Sequence, residues 1–136
     1  MTCLRFVNTI LGVYRDMFCA GLPNERELFD KAICYIEQNF HKKECTVLKL
    51  AQELNVSRAT LYREFVKKIN VSPVCYLKKY RLEQAVKMLK KDKNITVSVV
   101  AFSCGYQNQY YFSKDFKKTM GVSPSEFQKE YFNKLT

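Results

Sequence analysis

Apolar residues along this chain recur every three or four positions, with polar residues between them. This spacing collects the apolar side chains on one face of an α-helix. We find no segment in which apolar and polar residues alternate between turn residues, as they do in a half-buried strand. The pattern therefore predicts an all-α protein with about eight helices.

Capping and turn-forming residues separate the predicted helices. Short polar side chains precede most of the apolar stretches, where their oxygen can accept a hydrogen bond from a free N–H of the first turn. The predicted N-caps are Asn24, Thr46, Ser57, Ser72, Thr96 and Asn108. The predicted helices span about 2–20, 25–40, 47–54, 58–69, 73–90, 97–103, 109–119 and 124–133. Tight turns are expected at Asn55-Val56 and at Gly105, and Pro73 suits the first position of the long helix because no partner awaits an N–H there.

The second half of the chain repeats one pattern. Val71-Ser72-Pro73 followed by Tyr76 recurs fifty-one residues later as Val122-Ser123-Pro124 followed by Phe127. The other pairs at this offset are Ser57 with Asn108, Leu61 with Phe112, and Phe65 with Phe116. At an offset of fifty the pairs are Val47 with Val97, Leu50 with Val100, and Ala51 with Ala101. The extra residue of the second copy therefore falls opposite the stretch from Leu54 to Ser57. Such a repeat indicates two copies of a helix-turn-helix unit.

The repeat also predicts how the chain is organised. We expect an N-terminal helical segment at 1–24 and one helical domain at 25–136. This domain is expected to hold a first helix-turn-helix unit at 25–71, a linker helix at 72–91 and a second unit at 92–136. The helix at 25–40 is expected to lie across the first unit and close its core.

The chain is strongly basic, with 23 lysines and arginines, 13 acidic residues and a net charge of +10. This excess favours DNA, RNA or an anionic membrane surface as a partner. Charge alone fits a merely soluble protein equally well. Together with two helix-turn-helix units, however, it favours double-stranded DNA.

Other classes of function lack the residues that they need. The six cysteines form no CxxC pair and His41 is the only histidine, so we expect no metal site and no cofactor. The cysteines instead indicate reduced thiols and a cytoplasmic location. The apolar stretch 4–18 contains Arg5, Arg15 and Asp16, and it is too short and too charged to span a membrane. Paired carboxylates and a glycine-rich phosphate loop are also missing, so we expect no enzymatic activity.

The second helix of each unit is the candidate recognition helix, whose N-terminal half faces base edges in a major groove. In the first unit, Leu61 and Phe65 are expected to face the core. The residues left to contact DNA are Ser57, Arg58, Ala59, Tyr62 and Arg63. Arg63 is the main candidate for a guanine contact, because a guanidinium can bridge O6 and N7. A phosphate contact or a solvated charge are the alternatives for Arg63.

In the second unit, Phe112 and Phe116 are expected to face the core. The residues left to contact DNA are Gln107, Asn108, Gln109, Tyr110, Ser113, Lys114 and Lys117. Gln109 suits adenine, and the residues just before the helix suit phosphate. An ordinary solvated helix face is the alternative for this set. Tyr110 and Tyr111 cannot both lie in the core, and we expect one of them at the surface.

Lysines end both candidate recognition helices. They are Lys67, Lys68, Lys117 and Lys118. Phosphate contacts and simple solubilising charges are both open interpretations of these residues.

The long linker helix sets the distance between the two units. Almost nineteen residues at 1.5 Å each give about 28 Å, and one turn of DNA is about 34 Å. A single chain can therefore place two recognition helices in successive segments of the major groove. Since the two helices differ in sequence, the DNA site should be asymmetric, and a palindrome is expected only for a dimer.

Residues 25–133 closely resemble the DNA-binding domain of the AraC/XylS family of bacterial transcription regulators. The matching residues of the first unit are Leu50-Ala51, Leu54, Ser57, Leu61, Arg63, Phe65, Ser72-Pro73, Tyr76, Arg81-Leu82, Ala85 and Leu89. Those of the second are Val100-Ala101, Gly105-Tyr106, Tyr111-Phe112-Ser113, Phe116-Lys117-Lys118, Gly121, Ser123-Pro124 and Phe127. The resemblance implies seven helices, binding to promoter DNA and activation through contact with RNA polymerase, although some members repress.

The chain departs from the family pattern in three places. Asn70 stands where the family typically has glycine, a mild change because asparagine tolerates a left-handed conformation. Gln128-Lys129 stands where the family usually has an arginine. Most members carry an effector-binding domain ahead of this one, whereas about 24 residues precede it here. Those residues are a remnant of such a domain, a linker helix or a docking helix, and they offer a route to a dimer.

A second hypothesis assigns the chain to a different class of function. It is an interaction protein of the same fold that does not bind DNA and instead sequesters a full-length regulator or RNA polymerase. The apolar N-terminal helix favours this alternative.

Overall fold

The computed structural model describes residues 27–135, which form seven α-helices and no strand. The helices are α1 (Leu28–Asn39), α2 (Val47–Glu53), α3 (Arg58–Ile69), α4 (Pro73–Lys91), α5 (Val97–Ser103), α6 (Gln109–Met120) and α7 (Pro124–Leu135). The first unit consists of α1 and the helix-turn-helix pair α2 and α3, the second consists of the pair α5 and α6 with α7, and α4 joins the two units. The all-α prediction with two such units is confirmed. The helix predicted over 2–20 lies outside the described residues.

Five helices have the N-cap residues that the sequence predicts. The side-chain oxygens of Thr46, Ser57, Ser72, Thr96 and Asn108 each accept a hydrogen bond from a backbone N–H of the following turn. The prediction for the start of α1 was wrong, because this helix begins at Leu28 with Glu27 in the cap position and no side-chain cap. The Glu27 carboxylate pairs instead with Lys68 near the end of α3. Asn24, the predicted cap, lies outside the described residues.

The two units share the same turn between their helices. Asn55 has φ 56° and Gly105 has φ 88°, both in the left-handed region. The next N–H then folds back onto the preceding helix, from Val56 to the Ala51 carbonyl and from Tyr106 to the Ala101 carbonyl, each at 3.0 Å. The offset of fifty therefore persists through the turn. The extra residue of the second unit is Gln107, which lies between the turn and the cap of α6.

The repeat continues at the ends of α3 and α6. Asn70 has φ 56° and Gly121 has φ 85°. Their N–H groups donate to the carbonyls of Val66 (2.9 Å) and Lys117 (2.8 Å), respectively. Asparagine thus closes α3 in the left-handed conformation that the family pattern assigns to glycine, as its short polar side chain allows.

Two hydrophobic cores form, and α4 contributes to both. The first core contains Phe29, Ile36, Leu50, Ala51, Leu61, Phe65, Tyr76 and Tyr80 among its buried residues. The second contains Leu82, Ala85, Leu89, Val100, Ala101, Phe112 and Phe116. Helix α1 closes the first core as predicted, since the Phe29 ring lies 4.9 Å from the Phe65 ring. The boundary between the cores falls in α4, between Tyr80 and Leu82.

Arg81 occupies that boundary and binds the loop that leads into α2. Its Nε donates to the Phe40 carbonyl at 3.1 Å, and its Nη2 donates to the carbonyls of Lys42 (3.0 Å) and Cys45 (2.9 Å). Burial lowers the pKa of Arg81, yet an arginine remains charged at neutral pH. The same burial raises the pKa of Cys45, and burial raises the pKa of Cys104 to about 12, so these two thiols stay protonated.

Gly105 brings the second unit close to Arg81 and to the Phe40 carbonyl. A Cβ built on Gly105 would lie 2.3 Å from the Phe40 carbonyl oxygen and 2.9 Å from Nη2 of Arg81. Any side chain at this position therefore collides with backbone of the first unit. Glycine serves here both for its left-handed φ and for this close approach.

A related contact holds the loop that leads into α5. Gln128 of α7 donates from Nε2 to the carbonyls of Asp92 (3.0 Å) and Ile95 (3.1 Å). An amide nitrogen with two N–H donors can serve both carbonyls. Gln128, one of the two residues that stand where an arginine was expected from the resemblance, therefore has a structural role.

Gly105→Ala is predicted to destabilise the fold more than Gly121→Ala. Both glycines have positive φ, which costs alanine about 1–2 kcal/mol. Nothing lies within 4 Å of a Cβ at Gly121, whereas at Gly105 the overlap with the Phe40 carbonyl should add about 1–3 kcal/mol. Urea unfolding of both variants measures the difference. Equal losses would mean that the two units do not meet at Gly105.

Candidate nucleic-acid interface

The buried stripe of α3 determines which of its residues face solvent. Leu61, Phe65 and Ile69 are buried in the first core. The predicted contact residues Ser57, Arg58, Ala59, Tyr62 and Arg63 are all exposed. Tyr62 leaves 53% of its surface accessible although it is a large aromatic residue. The outward face predicted for α3 is therefore the one that the structure presents.

Hydrogen bonds arrange Arg63 along the first half of α3. Its Nη2 donates to Thr60 Oγ1 at 3.2 Å, and Thr60 Oγ1 lies 2.9 Å from Ser57 Oγ. Ser57 Oγ also accepts the Thr60 N–H at 3.1 Å as the cap of the helix. Thr60 was not among the predicted site residues, although it lies three residues from both Ser57 and Arg63, a spacing that places the three side chains on one face of the helix. The cap and the candidate base-contacting side chain thus belong to one connected chain of groups.

Most N–H groups of the Arg63 guanidinium remain available to bind a ligand. Arginine has five N–H groups in a planar fork, and the hydrogen bond to Thr60 uses one nitrogen. Within residues 27–135, no carboxylate forms an ion pair with Arg63. An exposed cation without an internal anion is free to bind an anionic or acceptor-rich surface.

Helix α6 shows the same division into a buried and an exposed face. Phe112 and Phe116 are buried in the second core. The predicted contact residues Gln107, Asn108, Gln109, Tyr110, Lys114 and Lys117 are exposed, and Ser113 is half-buried. Each group of predicted residues is thus collected on its own candidate recognition helix or at that helix's N-terminus.

Tyr110 and Tyr111 both lie at the surface, whereas only one of them was expected there. Their exposed fractions are 66% and 61%, and their ring centroids are 5.7 Å apart. The α6 stripe that faces the second core is filled by Phe112 and Phe116, so neither tyrosine is needed there. Two adjacent exposed aromatic rings enlarge the surface that α6 offers to a partner.

The half-buried Tyr106 contacts α6 through both its hydroxyl group and its ring. The Tyr106 hydroxyl donates to Oδ2 of Asp115 at 3.1 Å, and its ring packs edge-on against Phe112 at 5.2 Å. Burial, together with the Asp115 carboxylate, raises the pKa of Tyr106, so the hydroxyl keeps its proton. The acidic residue of α6 thereby forms an internal contact, and the exposed face of the helix stays basic and polar.

Lys68 differs from the other lysines at the ends of the recognition helices. It pairs with Glu27, and this ion pair lowers the pKa of the Glu27 carboxyl. Lys67, Lys117 and Lys118 have no ion pair with a carboxylate in the described part of the chain. Lys68 therefore helps to connect α1 and α3, and the other three remain available to a polyanion.

Two other kinds of site were considered for residues 27–135, a metal site and a membrane-spanning helix. Between residues 27 and 135, no cluster of three or more histidine, cysteine or acidic side chains is placed to bind a metal ion. None of the helices in that range has both the length and the apolar character needed to cross a membrane.

A protein family and a known regulatory protein match more than half of this chain in sequence. Residues 50–130 match the Helix-turn-helix domain family. The raffinose operon transcriptional regulatory protein RafR of Pediococcus pentosaceus is 39% identical over 103 residues, which cover 76% of this chain and 36% of RafR. The chain thus spans little more than a third of that relative's length.

Two solved structures extend the similarity to three dimensions. The C-terminal domain of AraT, a response regulator from Geobacillus stearothermophilus, has a TM-score of 0.73 and 32% identity, covering 79% of this chain and 88% of that domain. The DNA-binding domain of AdpA, solved in complex with a target DNA, has a TM-score of 0.74 over 80% of this chain and 96% of that one. At 23% identity, the likeness to AdpA shows a shared fold.

Asn108→Ala is predicted to lower the free energy of unfolding by about 1 kcal/mol, because it removes the cap that accepts the Tyr110 N–H. Asn108→Ser should recover most of this loss, since serine caps as well as asparagine. The exposed neighbour Gln107 provides the matched control, and Gln107→Ala should change stability by less than about 0.5 kcal/mol. Urea unfolding tests all three variants. The cap assignment is wrong if Asn108→Ala and Gln107→Ala behave alike.

Proposed function

The chain belongs to the AraC/XylS family of helix-turn-helix proteins, and from this premise we propose that it regulates transcription by inserting two recognition helices into promoter DNA. One observation carries the proposal: α3 and α6 each bury one apolar stripe and expose basic side chains that have no carboxylate ion-pair partner in residues 27–135, and α6 also exposes the amide of Gln109. Such a face is suited to the phosphates and base edges of a duplex.

In the first unit, Arg63 is the proposed base-reading residue. Its guanidinium is exposed and held by Thr60 near the N-terminal half of α3, the part of a recognition helix that reaches base edges. Two parallel N–H groups can donate to O6 and N7 of a guanine. Ser57 and Arg58 at the helix start are proposed to contact phosphate, and Ala59 and Tyr62 to line the groove beside Arg63.

In the second unit, Gln109 is the proposed base-reading residue. Its amide can donate to N7 and accept from N6 of an adenine. Tyr110, Ser113 and Lys114 extend the same face along α6. The remaining residues, Gln107, Asn108 and Lys117, are proposed to contact the sugar–phosphate backbone.

The linker helix fits the spacing of two major-groove segments. Helix α4 contains 19 residues, which corresponds to about 28 Å of helix. One turn of DNA is about 34 Å, so the two helices are proposed to enter the same face of the duplex in successive turns. Their different outward residues favour an asymmetric site.

The regulator is proposed to act as an activator on the bacterial nucleoid, through contact with RNA polymerase. The basis for this part is membership of the family, whose members usually activate. Pairing of two chains through residues 1–24 would add a second copy of the asymmetric site to the DNA.

Arg63→Ala is predicted to weaken binding by about 1–3 kcal/mol and to relax preference at one or two base pairs. The loss arises because the bidentate contact to guanine disappears. Binding titrations against the preferred duplex, and against duplexes changed at each position, measure it. Lys67→Ala is the matched control, since loss of a phosphate contact should weaken binding on every sequence by a similar factor. The same uniform loss for Arg63→Ala would reassign Arg63 to phosphate.

DNA binding is predicted to weaken steeply as the salt concentration rises, because lysines and arginines that contact phosphates release counterions from the DNA. If about five lysines and arginines reach phosphates, the slope of log K against log salt is about −4.5. Binding titrations at salt concentrations between about 50 and 200 mM, where this effect is strong, give the slope. A flat response would contradict a phosphate-dominated interface.

Mobility shifts with excess random duplex separate the two hypotheses of function, because a specific regulator stays bound and a sequestering protein shows no shift at all.

A further inference from the structure

We propose that Arg81 is a positioning residue that fixes the spacing between α3 and α6, and with it the spacing of the two DNA elements that the chain accepts. This inference rests on the proposed function for its DNA consequence. Its structural part, the fixed placement of the two helices, concerns the protein alone.

The need for such a residue follows from the two separate cores. Burial of apolar surface stabilises each unit, but it is non-directional. The cores lie next to each other along α4, with Tyr80 in the first and Leu82 in the second. A helix that carries a packed unit at each end can still bend and twist, so directional contacts are needed to set the relative placement of the units.

Arg81 supplies directional contacts on the side of the first unit. One planar group donates to three carbonyls of the loop from Phe40 to Cys45, at 2.9–3.1 Å. Hydrogen bonds from a charged donor are stronger than neutral ones, and a planar fork satisfies several acceptors in only one orientation. The loop continues directly into α2 through the cap Thr46, so the first helix-turn-helix unit is oriented relative to α4.

The second unit meets the same group of atoms through its turn. Gly105 leaves no room for a Cβ against the Phe40 carbonyl and the Arg81 guanidinium. This turn connects α5 with the cap of α6, so its position constrains the start of the second recognition helix. Beside the contact, an open cleft of about 540 Å³ lies between loop residues such as Lys42 and second-unit residues such as Phe102 and Gln107. The units therefore abut at Arg81 and Gly105 and separate next to them.

Fixed spacing has a measurable consequence on DNA. Inserting one base pair between two elements moves them apart by about 3.4 Å and rotates them by roughly 34°. A chain that holds its two recognition helices rigidly cannot adjust to both the shift and the rotation. It therefore loses the affinity that comes from binding two linked elements at once. A chain with a loosened joint can follow them and discriminates less between spacings.

The experiment compares the full chain with Arg81→Ala on a series of duplexes. The duplexes carry the selected elements at their natural spacing, with one or two base pairs inserted, and one element alone. The unmodified protein is expected to prefer the natural spacing over one inserted base pair by about tenfold or more, and Arg81→Ala to reduce this preference to about threefold. Affinity for the single element should change by less than about twofold, because neither recognition face contains Arg81.

Lys91→Ala is the matched control, because it removes the same charge from the exposed end of α4. It is expected to keep the full preference for the natural spacing. If Arg81→Ala does not fold, as judged by circular dichroism, Arg81→Lys carries the test, since it keeps the charge and loses the planar fork. Arg81→Lys is then expected to lose spacing preference as well.

A measurement without DNA tests the structural part. Nitroxide probes, introduced as non-natural amino acids at Lys67 and Lys117, report the distance distribution between α3 and α6. The distribution is expected to be narrow in the unmodified chain and clearly broader in Arg81→Ala.

The possible outcomes separate the two proposals. Retained spacing preference, an unchanged distance distribution, or an equal loss on the single-element and two-element duplexes would overturn the role of Arg81. If the unmodified chain binds no sequence specifically and Arg81→Ala still broadens the distribution, the proposed function fails and the positioning role stands.

Discussion

The contact between Arg81, the Phe40 carbonyl and Gly105 is the constraint on which the arrangement of the molecule depends. Each unit has its own cluster of buried apolar residues. The guanidinium binds three carbonyls of one unit, and the missing side chain at Gly105 lets the turn of the other unit reach the same point. This small polar contact thus determines how the two units, each with its own core, are placed relative to each other.

Within each unit, burial decides which residues face a partner. Leu61 and Phe65 in α3, and Phe112 and Phe116 in α6, fix the rotation of their helices by entering the core. The opposite faces then follow from helical geometry and carry basic, amide and aromatic side chains. Internal hydrogen bonds refine this arrangement, since Thr60 accepts from Arg63 and Asp115 accepts from the half-buried Tyr106. The same chemistry that stabilises the fold therefore leaves two basic faces exposed.

The sequence predicted the local structure well because local structure depends on near neighbours. Spacing of apolar residues and cap residues such as Ser57 and Asn108 determine helices over a few positions, and the internal repeat supplied the topology. The contacts of Arg81 and Gln128 were not predicted, because their acceptors lie 33–41 residues away in sequence. The pairing of Lys68 with Glu27 and the exposure of both Tyr110 and Tyr111 depend in the same way on how helices pack. The outward residues of the recognition helices were predicted as a set, since a helix with a known inner face has only one outer face.

A regulator built in this way should recognise DNA as two unlike elements separated by a constant distance, and selection of bound duplexes from a random pool, followed by footprinting, measures this most directly. The account predicts an asymmetric site in which two protected elements lie about one helical turn apart, with the same spacing in nearly all selected sequences. A single protected element, or two elements whose spacing varies freely among the selected sequences, would contradict it.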